Sequence, residues 1–213
     1  MIETSITIGG FTIYEPTTVL TDLIITILCF LFLYKLKNNL PSVNKWKLFF
    51  LFFGLSTLVG AFSHALFKEH SGAGYKSFWL SMQVLNLLAV FSAQLATYDS
   101  VLSEKKHKKI WLYSYYIQLV LFTVAVFIFH NFLVVVLDNA IGLIPVLILH
   151  LKNRKQAEGY KGIANGILIS FLTGIVHGTK LTFHAYFNFN DIAHVLIMIS
   201  LYYIYSGVKK LTL

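Results

Sequence analysis

Two short stretches near the C-terminus place ionisable side chains at helical spacing. His177, Lys180 and His184 are separated by three and four residues, which would put them on one face of a helix. Asp191 and His194 follow at a spacing of three. Histidine and carboxylate side chains together can bind a zinc-type metal ion or transfer protons. The two stretches therefore predict a site built from two adjacent helices.

Further polar side chains lie within or at the ends of the other apolar stretches. Glu15 precedes Asp22 by seven residues, which is about two helical turns, and His64 closes a second apolar stretch. Such residues in apolar helices are costly and usually face an interior pocket. The other members of the predicted pocket, besides Glu15 and Lys180, are Ser63, Gln83, Asn86, Asn139 and Asn190.

The candidate roles follow from residue type. Catalytic zinc is commonly held by three protein ligands and a water molecule, while nearby carboxylates act as a general base or orient the ligands. The two alternatives for a cofactor are a divalent metal ion, zinc or another, and no cofactor. The predicted metal ligands are His64, His177, His184 and His194. The predicted catalytic carboxylates are Asp22, Asp138 and Asp191.

The elements that must position these residues are transmembrane helices. The chain is 57% hydrophobic and only 12% charged, against roughly 45–50% and 25% in soluble domains. A helix crosses a bilayer with about 20 apolar residues. We predict an all-α fold, one seven-helix transmembrane domain over residues 1–213. The predicted spans are about 17–36, 46–67, 78–98, 110–129, 132–151, 162–184 and 191–208.

The distribution of lysine and arginine predicts the orientation of the bundle. Fourteen of the 17 basic residues lie in the odd-numbered loops and the C-terminal tail; the other three are Lys68, Lys76 and Lys180. Basic residues concentrate on the cytoplasmic side, so the N-terminus is predicted outside and the C-terminus in the cytoplasm of a cell-membrane protein. The polar set then falls in the outer half of the bundle. The basic loops are expected to contact anionic lipid headgroups, and no nucleic-acid partner is expected.

Some residue types are predicted to have purely structural roles. Residues 1–16 lack the pattern of a cleaved signal peptide, and the single cysteine, Cys29, excludes a disulfide within the chain. Trp46 lies near a predicted span end, as an interfacial anchor would. Small residues let helices approach closely; the candidates are Gly54, Gly60, Gly142, Gly166, Gly174 and Gly178.

The stretches Glu15–Thr17, Thr21–Asp22 and Asn190–His194 resemble an uncharacterised family of small bacterial seven-helix membrane proteins. More remotely, the chain resembles the superfamily of alkaline ceramidases and progestin/adiponectin-type receptors. Many of those seven-helix proteins are intramembrane zinc hydrolases acting on lipid amides. The resemblance implies that Glu15 and Asp22 form an acidic first-helix motif, with His64 and His194 as metal ligands. Gly60 stands at that superfamily's serine position and Met198 at that of its second seventh-helix histidine. The third helix has Gln83 and Asn86 but no Asp.

Three functions are compatible with this sequence. The first is a metal-dependent hydrolase of a lipid or amide, with a pocket that opens outward. The second is a non-enzymatic transporter or a ligand or proton sensor, although the few polar groups in the inner half disfavour transport. The third is haem binding between two facing histidines, for example His64 and His177.

Overall fold

Seven α-helices form the molecule in a computed structural model that describes residues 4–67 and 72–211. All seven are long and apolar enough to cross a membrane, so the all-helical class and the seven helices are confirmed. Lys68 lies outside the described residues. The helices are α1 Pro16–Lys35, α2 Pro41–Leu66, α3 Gly72–Thr97, α4 Lys108–Phe129, α5 Leu133–Asn153, α6 Glu158–Thr179 and α7 Phe189–Lys210, with a π-helical turn, Tyr98–Leu102, after α3.

Several helix boundaries differ from the sequence prediction, and two of these differences have identifiable local reasons. α2 begins at Pro41 rather than Trp46, since proline fits the first turn of a helix. α6 ends at Thr179, five residues before the predicted end at His184. Lys180 adopts a left-handed conformation with φ of 50°, and its N–H bonds to the carbonyl of Val176. That cap stops the helix and leaves His184 in the following loop.

A β-hairpin precedes the first helix and was not predicted. Strands β1 Ser5–Ile8 and β2 Phe11–Tyr14 pair antiparallel. Gly9 and Gly10 join them with φ of 58° and 84°, the positive angles that a type I′ hairpin turn requires. The N–H of Glu15 bonds to the carbonyl of Thr4 at 2.9 Å. The hairpin therefore fixes the residue that immediately precedes α1.

Six helices close a ring, and the seventh lies outside it. Contacts run α1–α2–α3–α5–α6–α7 and back to α1, whereas α4 packs against α3 and α5 from outside. We call the end of the ring beside the β-hairpin the hairpin end, and the end where α7 finishes the tail end. At the tail end, α6 and α7 pack through glycines: a Cβ on Gly207 would lie 2.5 Å from the main-chain nitrogen of Ile163. Only glycine allows that approach.

The tail half of the ring is filled by a hydrophobic core. Phe50, Ile163 and Leu201 are buried there, and so is Trp46, whose exposed fraction is 0%. The prediction that Trp46 anchors the protein at an interface is therefore wrong. Its indole packs edge-on to Phe49, with ring centroids 5.4 Å apart. This aromatic layer closes the interior of the ring towards the tail end.

Candidate functional site

Asp22 on α1 and His194 on α7 face each other towards the hairpin end. Oδ1 of Asp22 lies 3.5 Å from Nε2 of His194, and the hydroxyl of Thr21 lies 2.7 Å from Nδ1 of the same ring. Thr21 donates its proton to the carbonyls of Thr17 and Thr18, both at 3.0 Å, so it can accept from Nδ1–H. Nε2 then presents its lone pair to the carboxyl group. The pair can share or exchange one proton.

Glu15 and His64 form a second acid–histidine pair, about two helical turns nearer the hairpin. Oε2 of Glu15 contacts Nδ1 of His64. Asp22 lies close enough to Glu15 and His64 to interact electrostatically with both. We call Glu15, Asp22, His64 and His194 the acid–histidine cluster; it joins α1, α2 and α7.

The cluster can form because α2 carries a glycine opposite Asp22. A Cβ on Gly60 would lie 3.2 Å from Oδ2 of Asp22 and 3.3 Å from the sulfur of Met82. A larger residue would push the carboxyl group away from α2. Gly60, where the remote superfamily has serine, thus makes room for a carboxylate that the sequence predicts as catalytic.

Asp191, also predicted as a catalytic carboxylate, has hydrogen-bond partners for both oxygens. Oδ1 accepts from the hydroxyl of Thr18 at 3.0 Å, and Oδ2 accepts from the N–H of Asn188 at 2.8 Å. Asn188 in turn accepts from the N–H of Asn190, which completes a capping box at the start of α7. Asp191 thus fixes the start of α7 against α1, and Asn190 contributes its main chain.

A cavity of about 640 Å³ lies inside the six-helix ring, within the range of about 300–1,000 Å³ typical of small-molecule sites. Its polar end carries Asp22 and His194 of the cluster. Three more predicted residues line this cavity: Asn86, Asn139 and His177. Oδ1 of Asn86 is buried without a hydrogen-bond partner among the described residues, so a bound molecule or water could complete it.

The cavity is closed by apolar side chains towards the tail end. We call Trp46, Ala93, Ile167, Leu201 and Ile204 the floor, because they line the cavity and each is at most 4% exposed. His194 and Ile204 are ten residues apart on α7, a rise of about 15 Å. The polar end and the floor are therefore well separated along the bundle axis.

Besides Ser200 of α7, four hydroxyl side chains line the wall between the polar end and the floor. Each donates its proton to a main-chain carbonyl of α2, α3 or α6, at 2.6–3.1 Å. Because those hydroxyl protons already form hydrogen bonds, the four side chains do not need a hydrogen-bond acceptor on a bound molecule. They are Ser56, Thr57, Ser170 and Thr173.

The cavity opens sideways between α5 and α6 in the hairpin half. Leu133, Val136, Gly174 and Gly178 line the cavity and are also exposed on the outside of the molecule; we call them the α5–α6 opening. A Cβ on either glycine would meet nothing within 4 Å. The prediction that these two glycines allow close helix packing is therefore wrong.

The other four glycines of that prediction do lie in close helix contacts. A Cβ on any of them would approach a neighbouring helix to 3.2 Å or less. They are Gly54, Gly60, Gly142 and Gly166.

Asp138 belongs to a different polar network, on the far side of α5. Its Oδ1 accepts from the side-chain amide of Gln118 on α4 at 2.7 Å, and Gln118 accepts from the amide of Gln94 on α3 at 2.9 Å. Oδ2 of Asp138 is buried without a partner among the described residues. This network ties the peripheral helix α4 to the ring.

Other predicted pocket residues lie apart from the cavity lining. Ser63 and Gln83 are buried, and their side-chain polar atoms have no hydrogen-bond partner within the described ranges. Lys180 caps α6 and is exposed. His184 is exposed in the loop before α7, where Nδ1 accepts from the N–H of Tyr186 at 3.2 Å. The ring of His177, by contrast, lies at the cavity wall.

Within residues 4–67 and 72–211, no three His, Cys, Asp or Glu side chains are arranged to hold a metal ion. The predicted zinc ligands are distributed between the acid–histidine cluster, the cavity wall and an exposed loop. A divalent metal, like haem, stays a prediction from the sequence.

A family profile matches residues 17–213. The chain belongs to DUF6962, a family of unknown function. The matched part begins at Thr17 and so contains all of the cluster except Glu15. No curated protein and no solved structure matches the chain, and the resemblance to alkaline ceramidases and related receptors gains no support from these comparisons.

Thr18 and Thr21 belong to the site but were not predicted from the sequence. Thr18 and Thr21 precede Asp22 by four and one positions, so Thr18 shares its helix face and Thr21 flanks it. Their position beside a carboxylate in an apolar helix is the sequence signal that could have predicted them as hydrogen-bonding partners in the site. Gln118 gave a similar signal, because it is an amide within the apolar α4.

Proposed function

We propose that this chain crosses the cell membrane seven times, with its N-terminus outside and its C-terminus in the cytoplasm. Seven apolar helices support the spanning arrangement, and the 14-to-3 asymmetry of basic residues supports the orientation. Under this proposal the tail end is cytoplasmic, and its lysines contact anionic lipid headgroups. The acid–histidine cluster then lies beneath the outer surface.

We propose further that the protein binds an amphipathic, lipid-like molecule inside the ring. The observation that carries this proposal is the polarity of the cavity, which has Asp22 and His194 at one end and a closed apolar floor at the other. A polar group would hydrogen-bond to the Asp22–His194 pair, and a hydrocarbon chain would lie along the wall. Binding sites commonly combine an apolar lining with a few polar groups that fix orientation.

The α5–α6 opening supplies a route for such a molecule. Its four residues are apolar or glycine, and they face outward in the hairpin half. In a bilayer this surface would meet lipid rather than water. A molecule from the outer leaflet could therefore enter sideways without crossing an aqueous phase.

The closed floor favours binding or sensing over transport. A transporter gives its substrate access to both sides from a site near the middle of the membrane. Here the cavity ends at Trp46, Ile167 and Ile204, which are buried and apolar. A ligand sensor fits this geometry better than a through-pathway.

Filling the opening tests the proposal. Gly174→Phe would place a ring in the open space beside Gly174, and Leu172→Phe is the matched control, since Leu172 is 46% exposed on the same helix and lies outside the cavity lining. Each variant is purified from membranes, and its bound small molecules are extracted and identified by mass spectrometry. We expect a co-purified amphiphile in the wild type and in Leu172→Phe, and its loss in Gly174→Phe. A wild type that carries no amphiphile, even after incubation with lipid vesicles, contradicts the proposal.

A metal-dependent hydrolase of a lipid or amide is our second candidate. The observation in its favour is that Asp22 and His194 lie where the polar group of a bound amphiphile would be, so a proton acceptor would adjoin a scissile bond. Elemental analysis of the purified protein, with an assay of N-acyl amide hydrolysis, tests this candidate. Stoichiometric zinc and loss of hydrolysis in His64→Gln and His194→Gln would support it. Protein with no bound zinc and no turnover would contradict it.

A further inference from the structure

We infer that the cavity selects a single hydrocarbon chain by length, with a preference for about 12 carbons. This inference rests on the proposed function, because it concerns the apolar part of the same bound molecule. It adds two points to the proposed function. The ligand places one hydrocarbon chain inside the protein, and named residues of the cavity set the length of that chain.

The length follows from the distance between the polar end and the floor. His194 and Ile204 are about 15 Å apart along α7, and both line the cavity. An extended hydrocarbon chain advances about 1.3 Å per carbon–carbon bond of about 1.52 Å. A chain anchored by its polar group at the Asp22–His194 pair therefore reaches the floor with about 12 carbons.

The floor is rigid enough to act as a stop. Its residues come from four different helices, α2, α3, α6 and α7, and each is at most 4% exposed. Ile204 also packs against α6, where a Cβ on Gly166 would lie 2.6 Å from its side chain. A longer chain would have to displace packed core atoms, and protein interiors resist such displacement.

The position of the opening limits the number of chains. Leu133, Val136, Gly174 and Gly178 lie in the hairpin half, while the floor half of the cavity is enclosed by buried and partly buried residues. A second chain of a two-chain lipid would remain outside, beside α5 and α6. The part of the cavity between the α5–α6 opening and the floor therefore has to hold only one hydrocarbon chain.

Two substitutions on α7 should change the depth of the cavity in opposite directions. Ile204→Ala removes side-chain atoms from the floor and deepens the cavity. Ser200→Leu adds side-chain atoms to the wall between His194 and the floor, and so shortens it. Ile199→Ala is the matched control, because Ile199 lies on α7 but is 43% exposed and outside the cavity lining.

The experiment is a competition among saturated monoacylglycerols, which are uncharged and carry hydroxyl groups for the polar end. Detergent-solubilised protein is incubated with an equimolar mixture of chains from about 8 to about 18 carbons, and bound species are counted by native mass spectrometry. We expect the wild type and Ile199→Ala to prefer about 12 carbons, with about tenfold weaker binding of the longest chains. The preferred length should rise by about two carbons in Ile204→Ala and fall in Ser200→Leu.

The outcomes separate this inference from the proposed function. If the wild type binds monoacylglycerols but neither variant shifts the preferred length, the length selection is overturned and the proposed binding function stands. If the wild type binds no chain of any length, both are overturned. Opposite shifts in the two variants support the inference, since a general loss of folding cannot lengthen one preference and shorten the other.

Discussion

Nε2 of His194 lies 3.5 Å from Oδ1 of Asp22, although the two residues are separated by most of the chain. The contact depends on α7 packing against α1, which Asp191 secures through Thr18. Asp191 thus holds in place the helix that carries His194. The two acidic residues, which look equivalent in the sequence, should respond differently to substitution.

Asp22→Asn should weaken amphiphile binding by about tenfold or more, because hydrogen bonds to a charged group are worth about 1.5–3 kcal/mol. Asparagine keeps the size of the side chain but can neither carry a negative charge nor exchange a proton with His194. Affinity for the co-purified amphiphile measures the effect. The control is Asp99→Asn, in the π-helical turn at the tail end, which should leave affinity unchanged. Equal affinity of Asp22→Asn and wild type would contradict the role assigned to the pair.

Asp191→Ala should lower the free energy of unfolding by about 1–2 kcal/mol, the usual effect of losing a helix cap. It removes the acceptor for both Thr18 and the N–H of Asn188. Thr18→Val, which removes one of these two hydrogen bonds, should have the smaller effect. Reversible unfolding in mixed detergent micelles gives both values. The reverse order of stabilities would show that Asp191 does not secure the capping box of α7.

Thr21→Val should weaken binding several-fold, because it leaves Nδ1 of His194 without the hydroxyl that lies 2.7 Å away. A neutral hydrogen bond contributes about 1 kcal/mol. Thr21→Ser keeps the hydroxyl and should restore binding. Nitrogen chemical shifts of His194 report which ring nitrogen carries the proton, and they should change in the valine variant alone. An unchanged spectrum in Thr21→Val would remove Thr21 from the site.

The sequence predicted the seven helices and most of the polar end, because long apolar stretches and embedded ionisable residues carry strong signals. It did not predict that Trp46 is buried, or that Gly174 and Gly178 have no neighbouring helix beside them in the described part of the chain. In a membrane protein the lipid-facing surface is as apolar as the core, so hydrophobic periodicity does not separate the two. Gly166 and Gly174 look alike in the sequence, yet a Cβ on Gly166 would clash and one on Gly174 would not.

The errors at the end of α6 have a local cause. His177, Lys180 and His184 fit one helical face by spacing, but Lys180 turns left-handed and ends the helix. Spacing identifies residues that can share a face only while the helix continues. The β-hairpin was missed although Gly9–Gly10 stands between two alternating stretches, which is a strong signal for a type I′ turn.

Gln118→Leu should destabilise the fold by about 1–2 kcal/mol, because it leaves the carboxyl group of Asp138 buried without its amide partner. Replacing both residues, in Gln118→Leu with Asp138→Leu, should recover part of that loss, since two apolar side chains leave no orphaned polar group. Unfolding free energies of the two single variants and the double variant form the required cycle. Strictly additive losses would show that the two side chains do not interact. Amphiphile binding should survive, as Asp138 lies outside the cavity lining.

The proposed orientation gives a labelling pattern that the single cysteine makes simple to measure. Cys29 is 0% exposed, and Cys29→Ala removes it as a background signal. New cysteines are then introduced at exposed positions of the two ends, as Thr7→Cys in the hairpin and Lys106→Cys in the loop before α4. A membrane-impermeant thiol reagent should label Thr7→Cys in intact cells and label Lys106→Cys only after permeabilisation, because basic loops stay in the cytoplasm. The opposite pattern would invert the bundle and place the acid–histidine cluster beneath the inner surface.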